Sequence, residues 1–108
     1  MANVPAKEPK VKILSGEVKY EPSVVGGYRV EKVTVVIKNI GTLPIYIGEV
    51  DIKYGDESWE MLTYVGSKLN PGAEKTIEAE EFKYLDTKPT SVRVRIVDGD
   101  KTIAEGSI

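Results

Sequence analysis

The chain reads as an all-β protein, a single antiparallel sandwich of about seven strands, on three observations. Fourteen Val, ten Ile, seven Thr and six Tyr stand against five Leu and five Ala in 108 residues. That balance suits half-buried pleated strands rather than helices. Gly, Pro, Asn and Asp interrupt the chain every 8 to 15 residues or so, the rhythm of short strands joined by turns. Between the interruptions apolar residues recur at a period of two. With 41% hydrophobic residues, the length suffices for one core and one domain.

Residues 1–9 hold Pro5 and Pro9 without an apolar run and read as a flexible tail or linker, unlike a signal peptide. Residues 10–108 form the domain. The first strand, Val11 to Tyr20, changes the parity of its apolar positions at Ser15-Gly16, which predicts a bulge near Gly16. The second, Tyr28 to Asn39, changes parity at Glu31-Lys32 and predicts a bulge near Lys32. Asn39-Ile40-Gly41-Thr42 is expected to turn by positive φ at Asn or Gly. Pro44 then opens a strand from Ile45 to Tyr54, with a bulge at Gly48.

The turn Gly55 to Ser58 leads into Trp59 to Val65, whose alternation is irregular. Asn70-Pro71-Gly72 predicts a type II turn with Pro at its second and Gly at its third position, followed by a strand from Lys75 to Phe82. Ser91 to Val97 alternates most cleanly, with Val92, Val94 and Ile96 inward and Arg93 and Arg95 outward. Asp98-Gly99 is expected as a two-residue hairpin loop that sets Ile103 opposite Val94, before a last strand from Lys101 to Ile108.

Composition excludes several functions. The chain has no Cys and no His, so thiol nucleophiles, disulfides, imidazole acid–base chemistry and nearly all zinc and haem sites are absent. Fifteen Lys and Arg against seventeen Asp and Glu give a net charge of -2, no positive field for nucleic acid or anionic lipid. No stretch approaches the ~18 apolar residues of a membrane span, so the chain as it stands is expected to be soluble. The absence of Gln, the scarcity of Asn and the prevalence of Lys and Glu match a thermophilic, archaeal source. The reading is of a protein that is not an enzyme and needs no cofactor.

Three stretches resemble extracellular Ig-like modules of prokaryotes, especially the cell-adhesion-related CARDB type and its fibronectin type III relatives. Val33 to Thr42 looks like their strand ending in N-x-G. Leu69 to Ile77 looks like their L-x-P-G-x-x-x-T-I/V stretch. Val92 to Glu105 looks like their closing hairpin with an acidic residue. Together they cover about a third of the chain. The resemblance implies a seven-stranded Ig-like sandwich that works by contact at a cell surface or outside the cell. Asn39 followed by Leu43 to Val50 is also similar to the N-P-x-x-x-P-I-x-I stretch of the water-stress and hypersensitive-response (WHy) domain of late-embryogenesis-abundant proteins, with Ile40 where that family places Pro. This second resemblance implies an intracellular stress-protective sandwich. The soluble domain of an archaellum stator protein is similar in fold and composition.

The candidate contact residues are Trp59, Tyr46, Tyr64, Arg93 and Arg95. Tyr and Trp anchor protein and sugar contacts because they are large and amphipathic. Trp59 has two readings, an exposed anchor or an aromatic held between the sheets. Tyr46 faces away from Ile45 and Ile47 and is therefore expected outside. Arg93 and Arg95 form a basic strip for an acidic partner or saccharide acid, or pair with acids on neighbouring strands. Asp51, Asp56 and Glu57, and separately Asp98 and Asp100, could offer oxygens to calcium but lack an EF-hand pattern, so no metal site is assigned. Glu49, Asp51, Glu78 and Glu80 could supply a glycosidase carboxylate pair only if two of them shared a cleft. The expected function is a non-catalytic binding or structural module that contacts a protein or glycan partner, or associates with itself through an edge strand.

Overall fold

The computed structural model describes residues 10–108; the expected tail at 1–9 lies outside the described residues. Seven strands follow one another: β1 (Val11–Pro22), β2 (Tyr28–Asn39), β3 (Ile45–Tyr54), β4 (Glu60–Leu69), β5 (Glu74–Leu85), β6 (Val92–Asp98) and β7 (Lys101–Ser107). They form two antiparallel sheets, ordered β1-β2-β5 and β4-β3-β6-β7. The protein is an all-β sandwich. Alternation sends Val30, Val33, Val35 and Ile37 from β2, Ile47, Val50 and Ile52 from β3, and Val94 and Ile96 from β6 into one fully enclosed core.

Bulges keep each apolar set on the inner side when the sequence changes parity. The one expected near Gly16 is at Leu14, which is skipped between the pairs Ile13–Ile37 and Ser15–Val36, while Gly16 stays paired with Val35. The one near Lys32 is at Glu31, skipped on both sides of β2. Gly48 is itself skipped in β3. A Cβ on Gly48 would come within 2.9 Å of the Val97 carbonyl, so only glycine fits under β6 there.

The same register shift skips Val65-Gly66 opposite Gly48, and one further shift, at Leu62, completes the irregular alternation of β4, which runs on to Leu69, past the expected end at Val65. Trp59 lies just ahead of this strand.

The turn after Leu69 is as expected. Gly72 has φ of 80° and the Ala73 N–H donates to the Asn70 carbonyl at 3.0 Å. The turn at Asn39 is not, because neither Asn39 nor Gly41 has positive φ. The fully buried Asn39 side chain closes it instead. Its Oδ1 accepts from the Gly41 N–H at 2.9 Å, and its Nδ2 donates to the carbonyls of Leu43 at 2.8 Å and Leu69 at 2.9 Å. Its backbone N–H donates to Ala73 and its carbonyl accepts from Gly72. One residue thus binds the end of β2 to the end of β4 in the other sheet.

The final hairpin also differs from expectation. The two-residue loop is Gly99-Asp100 between the pair Asp98–Lys101, with Gly99 at φ of 63° and no positive φ at Asp100, the II′ pattern. Ile103 is skipped between Ala104 and Thr102, and Val94 faces Gly106. Starting the loop one residue later moves the register by two without changing its parity, and the bulge at Ile103 then changes the parity, which pairs Arg95 with Glu105.

Candidate functional site

All five sequence-predicted contact residues lie on one surface, the outer face of the four-stranded sheet. On β3 the outward positions are Tyr46, Glu49, Asp51 and Lys53, because Ile45, Ile47, Val50 and Ile52 are inward. Register places Tyr64 beside Glu49 and Met61 beside Asp51 on β4, and Arg95 beside Asp51 and Arg93 beside Lys53 on β6. Two clusters result.

The first is built around Asp51, which is only 6% exposed although it points outward. Its short side chain stays near the sheet surface, where the longer Arg95 covers it: Nε donates to Oδ2 at 2.8 Å. The Arg95 guanidinium lies 4.5 Å from the Trp59 ring centroid, a cation–π stack that shields the ion pair. Trp59 is therefore half-buried on the outer face and is not held between the sheets. Asp51 Oδ1 is enclosed without a hydrogen-bond partner. The Glu49 carboxyl is raised from its ordinary value, first by the neighbouring Asp51 carboxylate and next by burial. Arg93 reaches Glu105 at 3.6 Å and Ser107 at 3.3 Å. Both arginines are thus engaged across strands, and the basic strip is a set of ion pairs.

The second cluster is aromatic. The Tyr46 and Tyr64 hydroxyls lie 3.2 Å apart, and this contact raises the Tyr46 phenol above its ordinary value. Gly66, at φ of 61°, lies under the Tyr64 ring; a Cβ there would sit 2.6 Å from Cε1, Cζ and the hydroxyl. The ring lies flat against the strand with its other side in water, 69% exposed, flanked by Tyr46 at 44% and Met61 at 60%.

The sequence reading did not select Met61, nor Gly66 as the seat of Tyr64. The bulges that bring these residues side by side are the reason, since strict alternation would scatter them. It also missed Phe82, which is 72% exposed beside Tyr84 at 65% on the other outer face. The parity of Glu78, Glu80, Phe82 and Tyr84 on β5 was the available signal.

The four acids considered for glycoside chemistry do not share a cleft. Glu49 and Asp51 project from the four-stranded sheet, while Glu78 and Glu80 project from the three-stranded one. Among the described residues no group of three or more His, Cys, Asp or Glu is placed to hold a metal ion, and no helix is long and apolar enough to cross a membrane.

A cleft of about 520 Å³ at the end of the sandwich is lined by the β3–β4 and β5–β6 loops over Tyr54. Beside it the Tyr54 hydroxyl donates to Glu81 at 3.1 Å, and Lys83 holds Glu57 at 2.8 Å. Burial raises both the Tyr54 phenol and the Glu81 carboxyl. That network joins β3 to β5 across the two sheets. Compared with known protein families and with curated proteins, the chain matches no family model and no curated protein.

Proposed function

We propose that the protein is a non-catalytic contact module of the Ig-like kind, which presents the outer face of its four-stranded sheet to a protein or glycan partner at the surface of a thermophilic archaeal cell. The observation that carries the reading is the pair of tyrosines laid out in solvent with Met61 beside them. Large aromatic and methionine side chains lose apolar hydration when covered, and Tyr, Trp, Met and Arg are the types enriched where proteins meet. The three-plus-four strand order agrees with the resemblance to CARDB and fibronectin type III modules. The absence of His and Cys supports a non-catalytic role, and the Lys- and Glu-rich, Gln-free composition supports the source.

The test is retention of envelope proteins and glycans from the source cells on the immobilised protein. Retention is expected to vanish in the double variant Tyr46→Ser/Tyr64→Ser and to persist in Lys32→Ala. Equal retention by both variants, or a native gene product confined to the cytosol, overturns the reading.

A further inference from the structure

We infer that the outer face of the four-stranded sheet takes the outer face of the three-stranded sheet of a second copy, so that copies stack head to tail. This rests on the reading of the tyrosine face as a contact surface and adds the identity of its occupant.

The sandwich has two exposed aromatic patches, one on each side. Tyr46, Tyr64 and Met61 project from the four-stranded sheet, and Phe82 and Tyr84 from the three-stranded sheet. Neither patch is covered by another element among the described residues. Each is too large to be the scattered single apolar residue that any surface carries.

Charge selects which patch meets which. On the four-stranded face Arg93 and Arg95 are closed by Glu105 and Asp51, while Lys53, Lys68 and the single acid Glu49 have no ion-pair partner among the described residues, two cations against one anion. The surplus there is positive. On the three-stranded face the outermost strand β5 turns Glu74, Glu78 and Glu80 outward in a column that leads to Phe82 and Tyr84. Of these acids only Glu78 has an ion-pair partner among the described residues, Lys32 at 3.3 Å; elsewhere on the face Glu17, Lys12 and Lys38, the last opposite Glu74 in register, also have none, which leaves three unpaired acids against two lysines. The surplus here is negative.

Two copies joined by like faces would set lysines against lysines or the glutamate column against itself. Unlike faces bring apolar to apolar and opposite charge to opposite charge. Because the two faces are on opposite sides of one molecule, a single such contact leaves both outer patches free and the assembly continues. A net charge of -2 gives little overall repulsion between copies.

The test is the molar mass of the whole protein by light scattering from about 10 µM to about 1 mM, a range suited to weak contacts. We expect the mass to climb above 11.9 kDa without a plateau at the dimer, and to fall back when salt is raised. Tyr64→Glu removes one patch and Phe82→Lys the other, each adding a charge that its opposing face repels. Each variant alone is expected to be monomeric. An equimolar mixture is expected to give a one-to-one dimer and nothing larger, because each variant keeps the face that the other lacks.

A wild-type mass that stays at the monomer, a Phe82→Lys variant that still dimerises with itself, or a mixture that stays monomeric each overturns the inference. Should the Tyr64→Glu fold be perturbed, Lys68→Glu and Glu80→Lys provide a second pair. Each is expected to weaken self-association about tenfold alone, with recovery on mixing; no change in either overturns the inference. A strictly monomeric protein whose Tyr46→Ser/Tyr64→Ser variant still loses its envelope or glycan ligand removes the second copy and leaves the contact face. Loss of both results removes both.

Discussion

On the three-stranded sheet Lys32 meets Glu78 at 3.3 Å with both side chains about half in water, whereas on the four-stranded sheet Arg95 meets Asp51 at 2.8 Å under the Trp59 ring. Both pairs join neighbouring strands and both link a central strand to the next. They differ in side-chain length and in what lies above. Lysine and glutamate are long enough to carry their charges clear of the sheet, where water screens them. Aspartate leaves its charge at the level of the backbone, so the arginine and then the indole close over it. The same alternation of strand residues therefore yields a solvated pair on one side and a shielded ion pair on the other.

Removing the cation is the strongest way to test that contrast. Arg95→Ala leaves Asp51 enclosed without its partner and is expected to destabilise the fold by about 3 kcal/mol in urea unfolding. Lys32→Ala is expected to change it by less than about 1 kcal/mol. Comparable losses in both variants would erase the distinction between the faces. Trp59→Ala removes the shield while keeping the pair, and should cost about 2 kcal/mol, with the Arg95–Asp51 pair becoming sensitive to salt.

Gly66→Ala strains a residue at φ of 61° and lifts the Tyr64 ring off the strand, for a loss of about 1 kcal/mol. The Tyr46 phenol, raised by its contact with Tyr64, should then titrate closer to its ordinary 10.0 in ultraviolet absorbance.

The smallest effect is a pH dependence. Glu49 is raised above 4.5 in the folded protein, so the fold favours its protonated form. The stability it contributes is present at pH below 4.5 and is lost as pH rises through the folded value. Glu49→Gln should therefore flatten the stability profile just above pH 4.5 relative to the wild type, in unfolding curves measured across that interval.

Strand positions were legible because burial on one side writes period two directly into Val, Ile and charged residues. Even the bulges at Glu31 and Gly48 could be read, since each corrects a change of parity that would otherwise turn apolar residues outward. The register of the last hairpin was not, because Asp98-Gly99 suits one hairpin turn type and Gly99-Asp100 another, and the bulge at Ile103 changes the parity again beyond the turn. Nor was the role of Asn39, whose partners Leu43, Leu69 and Ala73 come from different segments and announce nothing in the local sequence. The outward placement of Tyr46, Arg93 and Arg95 followed from their neighbours. Their gathering with Trp59 and Tyr64 onto one face depended on the order of strands in the sheet, which no single strand encodes.

Asn39 also bears on how the protein ages when heated. Asparagine decays when the backbone nitrogen of the following residue attacks the side-chain carbonyl carbon and expels ammonia through a cyclic imide. Here that nitrogen belongs to Ile40 and donates to the Lys10 carbonyl at 3.0 Å, while the amide it would attack is held at both ends. Ring closure requires this corner of the sandwich to open first, so the rate of chemical damage is set by a local unfolding equilibrium. Water then opens the imide to aspartate or isoaspartate, and an aspartate carboxylate would face the carbonyls of Leu43 and Leu69 with no hydrogen left to give them. In a chain with no Gln and only three Asn, the amide that structure depends on most is kept by the very contacts it makes.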